Sequence, residues 1–434
     1  MKKAFPAGGN RCILEAPKTP FRASMIRHQV YFDTLGSMKE DTASWRSVFA
    51  GLSVLRFVDS YSEPGSAVNP SSWAQAHSVR AAINDVSEGD PVRGVLITVV
   101  DELSNRGTID ETVSSSLLAY GRALDYEASW GLATDVFTTV AKLAKPERNA
   151  RLAVEAHVAV GGAARRNGDW ETSARAYSQA AYIADTLGDR TGVLTVQVGI
   201  ANNYMAKGNL PQAQSILDDV LVQSRDHQLG EVQAIALHSR SALAHKQGEF
   251  AEAVKLAYEA LHLTNKPTAK DSVLADLAGS LSELGLLQAA RDAHLILATT
   301  SQNQWVRWQA TINLLELASR EGMERAFDDY AAELRQSRLS PTHKAYFLLF
   351  LGEGLARFGR YESAQEVLLE AVAFASANQL NQIAFEADKA LVLLNSARQT
   401  HKPLSAPLTH SHDLGFVLDG LSNLREAAFA ASAR

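Results

Sequence analysis

The chain has 434 residues, of which 46% are hydrophobic and 21% charged, the usage of an ordinary folded protein, which excludes wholesale disorder. Its formal net charge of −6 gives no general attraction to phosphate backbones or anionic lipid. The one cysteine, Cys12, excludes an intrachain disulfide and a cysteine-built zinc site.

Two lysines begin the chain as they would a signal peptide, but Pro6, Gly8, Gly9, Asn10 and Arg11 interrupt the apolar stretch that such a signal needs. No later apolar run reaches the ~18 residues that could span a bilayer. Residues 1–25 therefore read as a disordered leader, with Met25 an alternative start, and the protein as soluble and cytoplasmic. Residues 26–111 read as a helical N-terminal region. Within it, Trp45, Val48, Phe49, Leu52, Leu55 and Val58 recur at helical spacing. Asn69-Pro70 and Asp90-Pro91 each join an N-cap residue to a proline at the first helical position. Residues 71–106 fit either a degenerate copy of the repeat that follows or a separate helical pair.

From residue 112 to 380 the chain repeats itself. Gly168 is followed at offsets of two, five, nine and twelve by Trp170, Ser173, Tyr177 and Ala180. Gly208 is followed by Leu210, Ala213, Leu217 and Val220; Gly248 by Phe250, Ala253, Ala257 and Ala260; Gly359 by Tyr361, Ala364, Leu368 and Ala371. Ala128 fits with Trp130, Ala133, Phe137 and Val140, Gly285 begins a looser copy, and Gly322 the poorest, with Glu324, Phe327, Ala331 and Leu334. The seven anchors are separated by 40, 40, 40, 37, 37 and 37 residues. Seven places before each stands Gly121, Gly161, Ala201, Ser241, Ala278, Leu315 or Gly352, small in all but one case. This spacing describes two antiparallel helices joined by a tight turn. The anchor supplies the turn, the small residue permits close approach, and the large residues fill the gap. Neither helix pair buries its apolar face alone, so neighbouring units must stack. Trp130, Trp170 and Tyr361, just after the anchors, are expected to be core-filling.

These residues resemble the tetratricopeptide repeat, whose pattern sets Gly, an aromatic, Ala, an aromatic and Ala in this order. The spacing exceeds the usual ~34 residues and is similar to that of lengthened arrays in bacterial signalling and regulatory proteins. The resemblance implies an all-α solenoid of about seven helix pairs in a right-handed superhelix. Residues 381–399 then read as a capping helix and 400–413 as a linker. Residues 414–434 read as an amphipathic helix with Leu414, Val417, Leu418, Leu421, Leu424 and Ala428 on one face.

Signatures of chemistry are missing. There is no G-x-x-x-x-G-K-[ST] loop, no H-E-x-x-H and no G-x-S-x-G. His401, His410 and His412 lack a Cys, Asp or Glu framework and read as linker histidines, not metal ligands. No enzyme activity, cofactor or metal is expected. The resemblance implies that the first helix of each unit lines a concave groove holding a peptide or partner helix. Offsets of ten, six and three before the anchor select Arg122, Arg165, Asn202, Met205, His238 and His245 as candidate partner-binding residues. The same register gives Asp125, Glu316 and Glu353, with Arg166 and Lys246 beside it. Arg can fork onto a carboxylate, Asn can bond a peptide backbone, and Met adapts to apolar side chains. The implied function is a scaffold or adaptor that binds another protein or peptide, with no nucleic acid and no membrane insertion. The alternative is a ligand-sensing regulator that relays a small signal to an effector.

Overall fold

The computed structural model describes residues 27–62, 70–144, 146–378, 380–400 and 414–432. The leader and the three linker histidines lie outside these residues. The chain is an all-α helical solenoid: the described residues form twenty helices and no strand. Four helices precede the repeats: α1 (Gln29–Ser37), α2 (Ala43–Ser62), α3 (Pro70–Asn84) and α4 (Pro91–Arg106). Asp90 caps α4 by accepting from the Val92 amide, as its place before Pro91 requires. The repeat pairs follow: α5 (Glu111–Tyr126) with α6 (Trp130–Leu143), α7 (Pro146–Arg166) with α8 (Trp170–Thr186), and α9 (Arg190–Ala206) with α10 (Leu210–Asp226). Next come α11 (Gly230–Gln247) with α12 (Phe250–Leu263), and α13 (Pro267–Glu283) with α14 (Leu287–Thr300). The last pairs are α15 (Gln304–Arg320) with α16 (Glu324–Gln336), and α17 (Pro341–Arg357) with α18 (Tyr361–Ala377). They are followed by α19 (Asn381–Thr400) and α20 (Gly415–Ser432).

All seven anchors sit in the turn within a pair, and all seven have positive φ, from 57° at Ala128 to 81° at Gly208. In each turn the amide after the anchor bonds the carbonyl five residues back, at 2.8–2.9 Å, from Ser129 to Leu124 through Arg360 to Leu355. This left-handed helix stop reverses the chain in three residues. Gly89 stands 39 residues before Ala128, where an anchor of a preceding copy would fall, but it is not among the positive-φ residues, so α3 and α4 are joined by a different turn.

The change from 40 to 37 residues has a local cause. The second helices α8 and α10 run 17 residues and end in a further left-handed turn at Gly188 and Gln228. By contrast α12, α14 and α16 run only 13 or 14 and end on an extended residue, Thr264, Ser301 or Ser337. In the first 40-residue unit α6 is also short. There the extra length lies in α7, which has 21 residues and a kink at Asn149.

The register seven before and nine after the anchor is a packing pair. A Cβ on Gly121 would lie 2.3 Å from the Phe137 ring, on Gly161 2.7 Å from Tyr177, and on Gly352 2.6 Å from Leu368. In the sixth unit the sizes are exchanged, Leu315 standing with Ala331 in one core cluster. Phe327 there replaces the usual small residue at offset five, fully buried against Gly354 and Phe358. The added bulk is accommodated by Gly354 on α17, where a Cβ would lie 2.2 Å from the Phe327 ring. Gly161→Leu is accordingly expected to cost about 1–3 kcal/mol by overpacking. The check is chemical denaturation, where an unchanged midpoint would mean the Gly161–Tyr177 approach is not tight.

One expectation is corrected. Residues two after the anchor are the first of their helices and lie at the rim of the core: Trp170 is 37% exposed, with Lys207 over its ring, and Trp130 and Tyr361 are only partly buried. The first turn of a helix points past the partner helix, so size there adds little to the core. The residues at five, nine and twelve fill it, all being buried in all seven copies.

Two contacts are not local. Helix α20 lies along α12 and α14, with Leu414, Val417 and Leu421 fully buried and Leu424 37% exposed. Arg425 pairs with the buried Asp292 at 2.8 Å, and Gly420 lets the helix rest on Tyr258. The solenoid also meets itself. The turn after α5 abuts the starts of α15 and α17: the Trp305 indole N–H donates to the Glu127 carboxyl, and the Thr342 hydroxyl donates to the Glu127 carbonyl. The Tyr126 ring stacks on that of Trp305, 5.9 Å between centroids and 11° between planes. Trp305 and Trp308 thereby join the core of the N-terminal half.

Candidate functional site

The first helices of consecutive pairs stand side by side, and a ladder of polar side chains joins them. Arg122 on α5 pairs with Glu155 on α7, and Asp125 receives both Arg166 Nε and Nη2, at 2.9 and 2.5 Å. Asn202 on α9 donates to Ser239 on α11 at 3.3 Å. His238 and His245 on α11 reach Asp276 and Ser280 on α13, at 2.7 and 2.9 Å. Arg320 on α15 donates to Ser282 at 2.8 Å, and Arg357 on α17 donates to Ser319 at 2.9 Å. Such bonds between exposed groups add little stability individually. Together they fix the spacing of the wall.

The register therefore places all six candidate residues on first helices, but does not leave them equally available. Arg122, His238 and His245 hold neighbouring helices. Met205 is 8% exposed and packs into the core, so it presents little to a partner. Glu316 is partly buried; burial pushes its carboxyl up, against the pull of Arg320 and Arg357. Glu353 pairs with Arg357 within one helix.

Among the described residues, the ladder has no rung between α7 and α9. Arg165 stands on one side of this gap and Asn202 on the other. Arg165 Nε and Asn202 Oδ1 are buried and lack a hydrogen-bond partner. Burial lowers the Arg165 guanidinium pKa, while the adjacent Tyr177 hydroxyl favours its charge. Gly162 stands one turn before Arg166 on α7, and an added Cβ there would touch only the ends of Arg166 and Tyr177, at 3.6 Å or more. An unmatched donor and an unmatched acceptor on neighbouring helices complement the C=O and N–H of a peptide main chain. Leaving such groups unpaired costs about 1–3 kcal/mol each, a cost that a partner reached by side-chain rotation would remove. Sequence register selected these two residues, but it could not show that Asn202 Nδ2 is engaged by Ser239 while Asn202 Oδ1 and Arg165 Nε, facing the one missing rung, have no partner.

Among the described residues, no group of His, Cys, Asp or Glu could hold a metal ion, and no helix is long and apolar enough to cross a membrane. Two clefts lie in the N-terminal region. One, of about 930 Å³, is lined by Arg27, Phe32, Arg56 and Gln75 among others. The serines Ser53, Ser60 and Ser78 at its wall bond their own helix backbones. Glu127 and Trp305, which join distant parts of the solenoid, were not selected from the sequence. A signal was present in Trp305 and Trp308, two tryptophans on one helix face with no counterpart in the other copies.

No protein-family model matches the chain, and no curated protein matches it in sequence. Among solved structures it is similar to a Rap protein complexed with competence and sporulation factor, at 12% identity over 82% of this chain and all of that one, with a TM-score of 0.33. It is also similar to a circular tandem repeat protein with novel repeat topology, at 14% identity over 91% of this chain and 92% of that one, with a TM-score of 0.17. Neither likeness is close enough to carry a function across.

Proposed function

We propose that the chain is a non-enzymatic scaffold of the tetratricopeptide kind that binds an extended peptide segment of another protein along its first-helix wall. The observation that carries this reading is the gap between α7 and α9, with Arg165 Nε and Asn202 Oδ1 unpaired on its two sides. Asn202 would accept from a main-chain N–H, and Arg165 would donate to a carbonyl or a carboxylate, which favours an acidic or carboxyl-ended segment. The small surface at Gly162 lets a backbone approach closely. The filled rungs on either side would set the frame in which that segment is read. A cytoplasmic setting fits the single cysteine.

The test is the double variant Arg165→Ala, Asn202→Ala, assayed against partners captured by the wild-type protein. Each contact is expected to contribute about 1–3 kcal/mol, so the pair should weaken binding at least tenfold while the helical spectrum is retained. Unchanged affinity in the folded double variant would place the binding surface elsewhere.

A further inference from the structure

The contact between the turn after α5 and the starts of α15 and α17 joins residues 178 and 215 positions apart. A superhelix whose first coil is pinned to a later one has its curvature fixed, since changing the angle between successive units would pull the pinned points apart. The pin is a carboxyl. Glu127 is half-buried between the Trp305 indole N–H and the Ser340 hydroxyl, and the acid facing it is Asp90, the cap of α4. Around this centre, Tyr126 stacks on Trp305 and faces Asp271, His343 packs edge-on against Trp308, and Arg338 lies against Gly89. No cation contacts the Glu127 carboxyl among the described residues. A protonated carboxyl satisfies this environment at little cost. An ionised one must give up water for two neutral donors, which burial makes expensive.

We propose that this contact is a proton-controlled latch, in which ionisation of Glu127 releases the first repeat unit from the sixth and seventh and frees the curvature of the first-helix wall. The latch concerns the shape of that wall and not what it binds, so it stands or falls independently of the peptide-binding reading.

Burial pushes the Glu127 carboxyl up to about 7 from an ordinary 4.5, with the Trp305 and Ser340 bonds opposing and Asp90 adding to the rise. The closed form thus holds its proton more tightly than the released form. Its advantage is complete below about 4.5, declines as pH rises towards 7, and is absent above that. Asp90, itself raised by burial, acts with the same sign. His343, lowered by burial to about 4, acts with the opposite sign wherever release exposes it. A comparison with Glu127→Gln at each pH isolates the glutamate, because the amide keeps a carbonyl acceptor for Trp305 and cannot ionise.

The experiment places spin labels at Thr98 on α4 and Arg325 on α16 of the full chain, with Cys12→Ser, and measures their separation by pulsed electron resonance. At pH 5 wild type and Glu127→Gln should share one short distance. At pH 8 the wild type should gain a second, longer population that the Gln variant lacks. Identical distributions for the two proteins at pH 8 overturn the latch. If Glu127→Gln does not fold, Trp305→Phe removes the N–H and keeps the ring. It must then show the longer distance already at pH 5, and a short distance there overturns the latch equally.

Discussion

Phe137→Ala is expected to lower stability by about 3–5 kcal/mol, the usual cost of removing a buried phenylalanine side chain. The ring is 2% exposed and lies where a Cβ on Gly121 would clash, so its removal empties the gap between α5 and α6. Glycine at 121 offers nothing to refill that gap, which places the cost towards the upper end. In an open repeat array such damage stays with its neighbours. Here the first unit is tied to α7 on one side and, through Tyr126 and Glu127, to α15 and α17 on the other. The loss should therefore appear in the main urea transition and not as a separate early step. A midpoint unchanged from wild type would show that Phe137 does not hold the pair together.

A comparable effect is expected from pH at His28. Its ring is 6% exposed and bonded through Nδ1 to Asp135 at 2.5 Å and through Nε2 to Asp59 at 3.2 Å. Burial opposes its charge, but the two carboxylates outweigh burial and raise the pKa from 6.5 to about 9. A histidine raised in the folded state contributes stability that is full below about 6.5 and lost as pH climbs through about 9. At ~1.36 kcal/mol per pKa unit, that contribution is of the order of 3 kcal/mol. It holds α1 to α2 and α6, so the loss is capped by the free energy of undocking α1. Urea denaturation at pH 6.5 and 9.5 is the check. Wild type should lose stability across this interval, and His28→Gln should lose far less of it. Equal losses would mean that His28 is not charged in the folded protein.

The repeat itself is written in the sequence. A residue able to hold positive φ, a small residue seven before it and buried residues at five, nine and twelve after it all act within one helix pair. Their geometry depends on helix pitch and side-chain size alone, so register is sufficient to place them. The same register placed Arg165 and Asn202 on adjacent helices. It overstated the packing of Trp170, because position along a helix does not tell whether a side chain points into the gap or past its end. It also gave Met205 to the groove, where the structure gives it to the core.

Other features arise only when the units are stacked. Which rungs of the ladder are filled depends on residues roughly one unit apart, 33 for Arg122 and Glu155 and 41 for Asp125 and Arg166, and neither unit alone specifies the pairing. Where the solenoid meets itself is more remote still. Small rotations between successive units accumulate, and their sum brings Glu127 to Trp305 across 178 residues. That rotation is set by how side chains interlock between pairs and by where the extra residues of the 40-residue units are placed. One such insertion lies in α7 and others lie in α8 and α10. The sequence by itself determined the unit, its turn and its apolar core, because those interactions are local. Only the tertiary structure decided which polar groups stay unpaired and which distant residues touch, because both depend on the summed geometry of the whole stack.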